Sequence, residues 1–174
     1  LRDVYKRQVI HDEAQAPPHA LGTCFAYLVE NNILNDLVSL CLPDEPLGIL
    51  DEFLRMCTTL VRHIHVPWFL ANEGVAHALL QLLRSCNKKQ QKPPGLVELV
   101  YPLCARIHQQ PDTLRVLVQL GAQLPKERPA DRFPLMTCIV RHITMDGPSG
   151  RHMRTSLVWV MHCLLYTSLM ARGR

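Results

Sequence analysis

Apolar positions recur at three- and four-residue steps along most of this chain, which is the spacing of one face of an α-helix. Leu50, Phe53-Leu54, Cys57 and Leu60-Val61 give such a face, predicting a helix from Leu47 to about Ile64. Leu96, Leu99-Val100, Leu103-Cys104 and Ile107 give a second, over Leu96–Gln109, with Pro102 inside it as a kink or early break. Further helices are expected over Pro111–Leu120, capped by Gly121, and over Phe133–Thr144 and Gly150–His162. Met145-Asp146-Gly147-Pro148-Ser149-Gly150 is the corner between the last two. The polar stretches Asn87–Gly95 and Leu124–Asp131 hold prolines and no period, so they read as loops. No run alternates in strand fashion for long enough to matter.

One part of the pattern occurs twice. Tyr27-Leu28, Ile33, Leu37 and Leu40 reappear, 42 residues on, as Phe69-Leu70, Val75, Leu79 and Leu82. Between the anchors each copy has a polar break, Glu30-Asn31-Asn32 in one and Asn72-Glu73-Gly74 in the other. Each copy therefore reads as a short helix, a tight corner and a longer amphipathic helix. Thr23 is the expected N-cap of the first copy, and Pro67 opens the second. Asp44 and Pro46 suit the start of the helix between the copies. A helical repeat of about 40–47 residues is the armadillo/HEAT period. Such a unit cannot cover its own apolar face and must stack on a neighbour. The expected fold is all-α, an open α-solenoid of stacked helical pairs, and a fragment of a longer array.

Charge changes the picture only after the ends are set aside. The 174 residues carry a formal +4, but Leu1–Gln8 and Cys163–Arg174 look like translated sequencing adapter rather than native protein. The expected domain layout is therefore a non-native segment over 1–8, the solenoid fragment over 9–162, and a non-native tail over 163–174. The body Val9–His162 has 14 basic and 14 acidic residues. A neutral body argues against binding nucleic acid or anionic membranes through bulk charge. No stretch reaches the roughly 18 apolar residues of a membrane span. The body's six cysteines (Cys24, Cys41, Cys57, Cys86, Cys104 and Cys138) sit within apolar patterns and form no CxxC. They read as buried free thiols in a reducing compartment.

Candidate chemistry is sparse. His63 and His65 diverge on a helix, and no third ligand has useful spacing, so no metal site and no cofactor is expected. His63, His65, His108 and His142 instead suit helix C-termini, where a cation favours the dipole. Cys138 and His142, four apart on one face, are the sole nucleophile–base candidate, yet nothing nearby orients the imidazole. No phosphate-cradling glycine loop is present. Tyr27, Trp68, Phe69 and Tyr101 stand at helical spacing and read as core. The expectation is a protein that is not an enzyme. The alternatives are an unrelated armadillo-type interaction module and, further off, an all-α cysteine hydrolase using Cys138 and His142.

Phe133-Pro134-Leu135, Arg141, Asp146-Gly147, Gly150, Arg154 and Leu157 resemble the signature of the FTS–Hook-interacting protein family, also called retinoic-acid-induced-16-like. Cys24–Leu34 and Asp44–Gly48 are similar to its other motifs, and the likeness covers about Val9–Val158. Thr144, Asp146 and Met153 depart from it, standing where the family has His, Glu and Ala. The motif is read as architectural, with a possible interaction role: Gly147 and Gly150 for a tight corner, Pro134 for a helix start, and Arg154 reaching back to carbonyls or to Asp131 or Asp146. The resemblance implies an adaptor subunit, cytoplasmic and peripheral on early endosomes. Its implied partners are a Hook-type dynein adaptor, an inactive E2-like protein and an early-endosomal Rab GTPase. The implied role is microtubule transport and vesicle fusion.

Overall fold

The computed structural model describes residues 22–66, 68–89, 93–123 and 132–172, with side chains through residue 166. The expectations for 1–21, Pro67, the middle of the lysine loop and 124–131 lie outside the described residues. Within them the chain is all-helical: α1 Thr23–Glu30, α2 Ile33–Cys41, α3 Ile49–His63, α4 Glu73–Lys88, α5 Gly95–Gln109, α6 Pro111–Gln123, α7 Pro134–His142 and α8 Gly147–Arg172.

The helices touch in two rows. One runs α2, α4, α7, and the other α3, α5, α8, with α6 lying against α4, α5 and α8. This order, in which a helix meets one two or three further along the sequence, is compatible with the expected stacked array. Burial follows from it. Leu96, Leu99, Val100, Leu103, Cys104 and Ile107 of α5 are wholly buried, because α3 covers one side and α8 the other. Asp51 ties the row together, its Oδ1 accepting the Gly95 amide at 2.8 Å across the start of α5. Pro102 lies within α5 without ending it.

The doubled pattern is present, with corrections. Positions equivalent by the 42-residue step lie side by side: the Asn35 amide oxygen is 3.0 Å from His77 Nδ1. A Cβ on Gly74 would stand 2.9 Å from Asn32 Oδ1. But the second copy has no short helix. Residues 68–71 are successive turns, with Ala71 N–H donating to the Trp68 carbonyl at 3.1 Å. Nor are the first copy's anchors its core. Tyr27 is 60% exposed and Leu40 is 68% exposed, while the neighbouring Phe25, Leu34, Val38 and Cys41 are buried. Trp68 is exposed as well, so of the aromatics expected in the core Phe69 is buried and Tyr101 partly so.

Several helix ends differ from the expected ones. Gly22, not Thr23, is the N-cap of α1. Gly48, not Asp44, is the N-cap of α3, which starts only at Ile49, so Asp44 and Pro46 both precede it and Leu47 is exposed; Asp44 Oδ1 still accepts from the Gly48 and Leu50 amides at 3.0 Å. Asn87 belongs to α4 and is buried, not looped out. Gly121 is inside α6 rather than beyond its end. A Cβ there would meet the Arg132 carbonyl at 2.6 Å, so the glycine serves a close approach of two backbones. The 145–150 corner is shorter than expected because α8 begins at Gly147, and that helix continues through the 163–172 stretch with Cys163 buried.

Candidate functional site

The signature residues fall at the two ends of α7. At its start, Pro134 occupies the first turn, where a missing N–H leaves nothing unpaired. Its carbonyl accepts from Asn87 Nδ2 at 2.8 Å, and Leu135 beside it is buried. Phe133, the N-cap residue, is half-exposed. Two turns on, Arg141 Nη1 donates to the Asn87 backbone carbonyl. One residue of α4 thus holds both ends of α7. The sequence reading missed Asn87, although 76, 80, 83 and 87 continue a single helical face.

At the far end the corner is built from glycines. Gly147 has φ +72°, a left-handed conformation that other residues reach only with strain. Gly150 is packed so closely on the Met145 carbonyl that a Cβ has no room. Arg154 Nη1 donates to the Ile143 carbonyl at 3.0 Å, closing the loop from α8 back to the end of α7. Of its expected acceptors it takes the carbonyl; Asp146 is exposed, and Asp131 lies outside the described residues. The structure therefore brings Asp146, Gly147, Gly150 and Arg154 to one corner and sets Phe133, Pro134 and Leu135 at the other end of the helix.

Cys138 and His142 meet on α7, with Sγ to Nδ1 at 3.8 Å, but both are buried. His142 Nδ1 lies 2.7 Å from the Cys138 carbonyl. A carbonyl only accepts, so Nδ1 carries the proton and has no lone pair for the thiol. Elsewhere burial pushes the Cys57 and Cys104 thiols up to about 12, which keeps them protonated and poor nucleophiles at neutral pH. Burial, with Asp44 second, raises Cys41 too.

The expected histidine placements hold in part. His63, His108 and His142 are in last helical turns, whereas His65 lies beyond α3 and accepts from Arg106 Nη1 at 2.7 Å. Burial lowers the pKa of that guanidinium. Along the α5–α8 seam the rings form a ladder: Tyr101 stacks on His152 at 4.1 Å and also meets Trp159, which stacks on His108. Among the described residues no three His, Cys, Asp or Glu side chains gather to hold a metal, and no helix is long and apolar enough to cross a membrane.

The signature fixes how α7 sits on α4 and how α8 leaves α7. No curated protein matches the chain. The model of one family does, over residues 24–169, spanning α1, both ends of α7 and most of α8. On that match the chain belongs to the retinoic acid induced 16-like protein family.

Proposed function

We propose that the chain is a non-catalytic adaptor subunit, an α-solenoid segment that binds other proteins through the outer faces of its helices. The family match over 24–169 carries this reading. The geometry supports it, since the signature residues are spent on helix placement and the Cys138–His142 pair is buried within α7. Through the resemblance to FTS–Hook-interacting proteins, the partners proposed are a Hook-type dynein adaptor, an inactive E2-like protein and an early-endosomal Rab GTPase. The protein would act in the cytoplasm, peripherally on early endosomes, linking them to dynein-based transport and vesicle fusion.

The test is affinity capture from cytosol with the chain as bait. Recovery of a Hook coiled coil, the E2-like protein or the Rab supports the reading, and recovery of none of them overturns it. Thiol alkylation of the folded chain checks the non-catalytic part. Slow labelling of Cys138 is expected, and a single fast-reacting Cys138 at neutral pH would sink it.

A further inference from the structure

Helix α4 has two apolar faces, each with its own neighbour. Val75, Leu79 and Leu82 form a back face, meeting Leu34 and Val38 of α2 around a small apolar cavity shared with α3. Leu80 belongs to a front face, set among Leu117 of α6 and Leu135 of α7. The 42-residue step maps the back face of α4 onto Ile33, Leu37 and Leu40 of α2. That face has no covering helix among the described residues: Leu40 is 68% exposed, and Ile33 and Leu37 are only partly buried. At the other end of the row, α7 carries a groove of about 350 Å³ lined by Phe133, Met136, Thr137, Val140 and Arg141. Val140 there is 56% exposed.

Among the described residues the two ends differ in charge. Glu30 and Asp36 are exposed on α1 and α2, while Arg132 and Arg141 are exposed at α7. The bias extends further. Residues 22–66 hold six carboxylates against two arginines, and residues 132–166 hold four arginines against one aspartate. Arg141 gives Nη1 to Asn87, but a guanidinium has five N–H donors in all.

We propose that the α7 groove of one copy takes the α2 back face of a second copy, head to tail. Leu37 and Leu40 enter the groove, and Glu30 and Asp36 face Arg132 and Arg141. This repeats between chains the back-to-front pairing that α4 and α2 make within one. The contact joins two different surfaces, so it leaves a free groove and a free back face at the ends of every complex. Association of that kind grows as open chains unless its rotation closes a ring. Exposed charge pairs make it sensitive to salt.

Sedimentation velocity on the whole chain tests this. At low ionic strength the average mass is expected to climb past the dimer as concentration rises, and to fall back as salt is added. Leu40→Glu and Val140→Glu, both at exposed positions, should each be monomeric with unchanged helical circular dichroism. Mixed in equal amounts, they should stop at a one-to-one dimer, because one supplies the groove and the other the back face. Asp36→Arg probes the α2 end independently and should weaken association alone. A chain that stays monomeric throughout overturns the proposal. So does a closed dimer indifferent to both Glu variants, or a Val140→Glu chain that still assembles as the wild type does. Hook or Rab capture reads out the adaptor role separately.

Discussion

Helices α2 and α4 carry the same apolar spacing and meet different fates. Leu82 of α4 is wholly buried, while Leu40, its equivalent on α2, is 68% exposed. Spacing says which residues share a face. It does not say whether anything stands opposite that face. Helix α4 lies between α2 on one side and α6 with α7 on the other, so both its faces are covered. Its start is also finished chemically: Asn72 Oδ1 accepts from the Gly74 and Val75 amides, whereas Asn32 at the start of α2 makes no such cap.

The sharpest way to break this comparison is to truncate both leucines. Leu82→Ala should cost about 2–5 kcal/mol, since it removes buried methyl groups and leaves a hole in a packed interior. Leu40→Ala should fall within about 0.5 kcal/mol of wild type. Urea melts at a protein concentration where the chain is monomeric decide it. Equal losses would show that α2 is covered in solution by something on its back face.

Alkaline pH separates the interior from the edge in another way. The Cys57 and Cys104 thiols are held at about 12 by burial, against an ordinary 9.0 in the unfolded chain. Between those values the unfolded state loses protons that the folded state keeps. Their contribution is therefore intact below pH 9 and declines as pH rises, by about 1 kcal/mol or a little more per pH unit for each thiol. Cys57→Ala should make the slope visibly shallower. A flat stability profile from pH 9 to 11 would mean that water reaches both sulfurs.

How much of this was legible depends on how many neighbours an element has. All the face residues predicted for α3 and α5 are buried, because α3 packs along its predicted side and α5 is covered by α3 on one side and α8 on the other. Helix α2 misled because Ile33, Leu37 and Leu40 on its open side and Leu34, Val38 and Cys41 on its buried side share one spacing, so periodicity alone does not choose between them. Gly121 read as a helix end since glycine usually ends helices; its real reason, the Arg132 carbonyl 2.6 Å from a would-be Cβ, is a backbone approach that no helical period announces. Asn87 was lost to the same limit. Its partners Pro134 and Arg141 come 47 and 54 residues later, so the helical face through 76, 80, 83 and 87 could place it on the helix but not reveal it as a clamp. At the signature the residue types spoke clearly, since glycine and proline have few reasons to be where they are. The direction of Arg154 needed coordinates.

That corner supplies a smaller test. Gly150→Ala forces a methyl against the Met145 carbonyl and should cost about 1–3 kcal/mol, the usual penalty of overpacking. Gly147→Ala has open space but a left-handed φ, so it should cost about 1–2 kcal/mol. Thermal melts should rank the two in that order, and the reverse ranking would mean that backbone strain, not contact, sets the corner.

The smallest effect is expected where α2 and α4 join by polar contacts. Asn35 Nδ2 donates to the Gly74 carbonyl at 3.2 Å, so its Oδ1 is the acceptor facing His77. The His77 Nδ1 at 3.0 Å must then be the donor. Both contacts are open enough to water that their loss is partly replaced by solvent. Asn35→Ala should therefore cost no more than about 1 kcal/mol. A loss rivalling that of Leu82→Ala would move the joint between the two copies from their apolar faces to this pair of side chains. It would also make the position-for-position match of Asn35 with His77 a cause of the packing rather than its consequence.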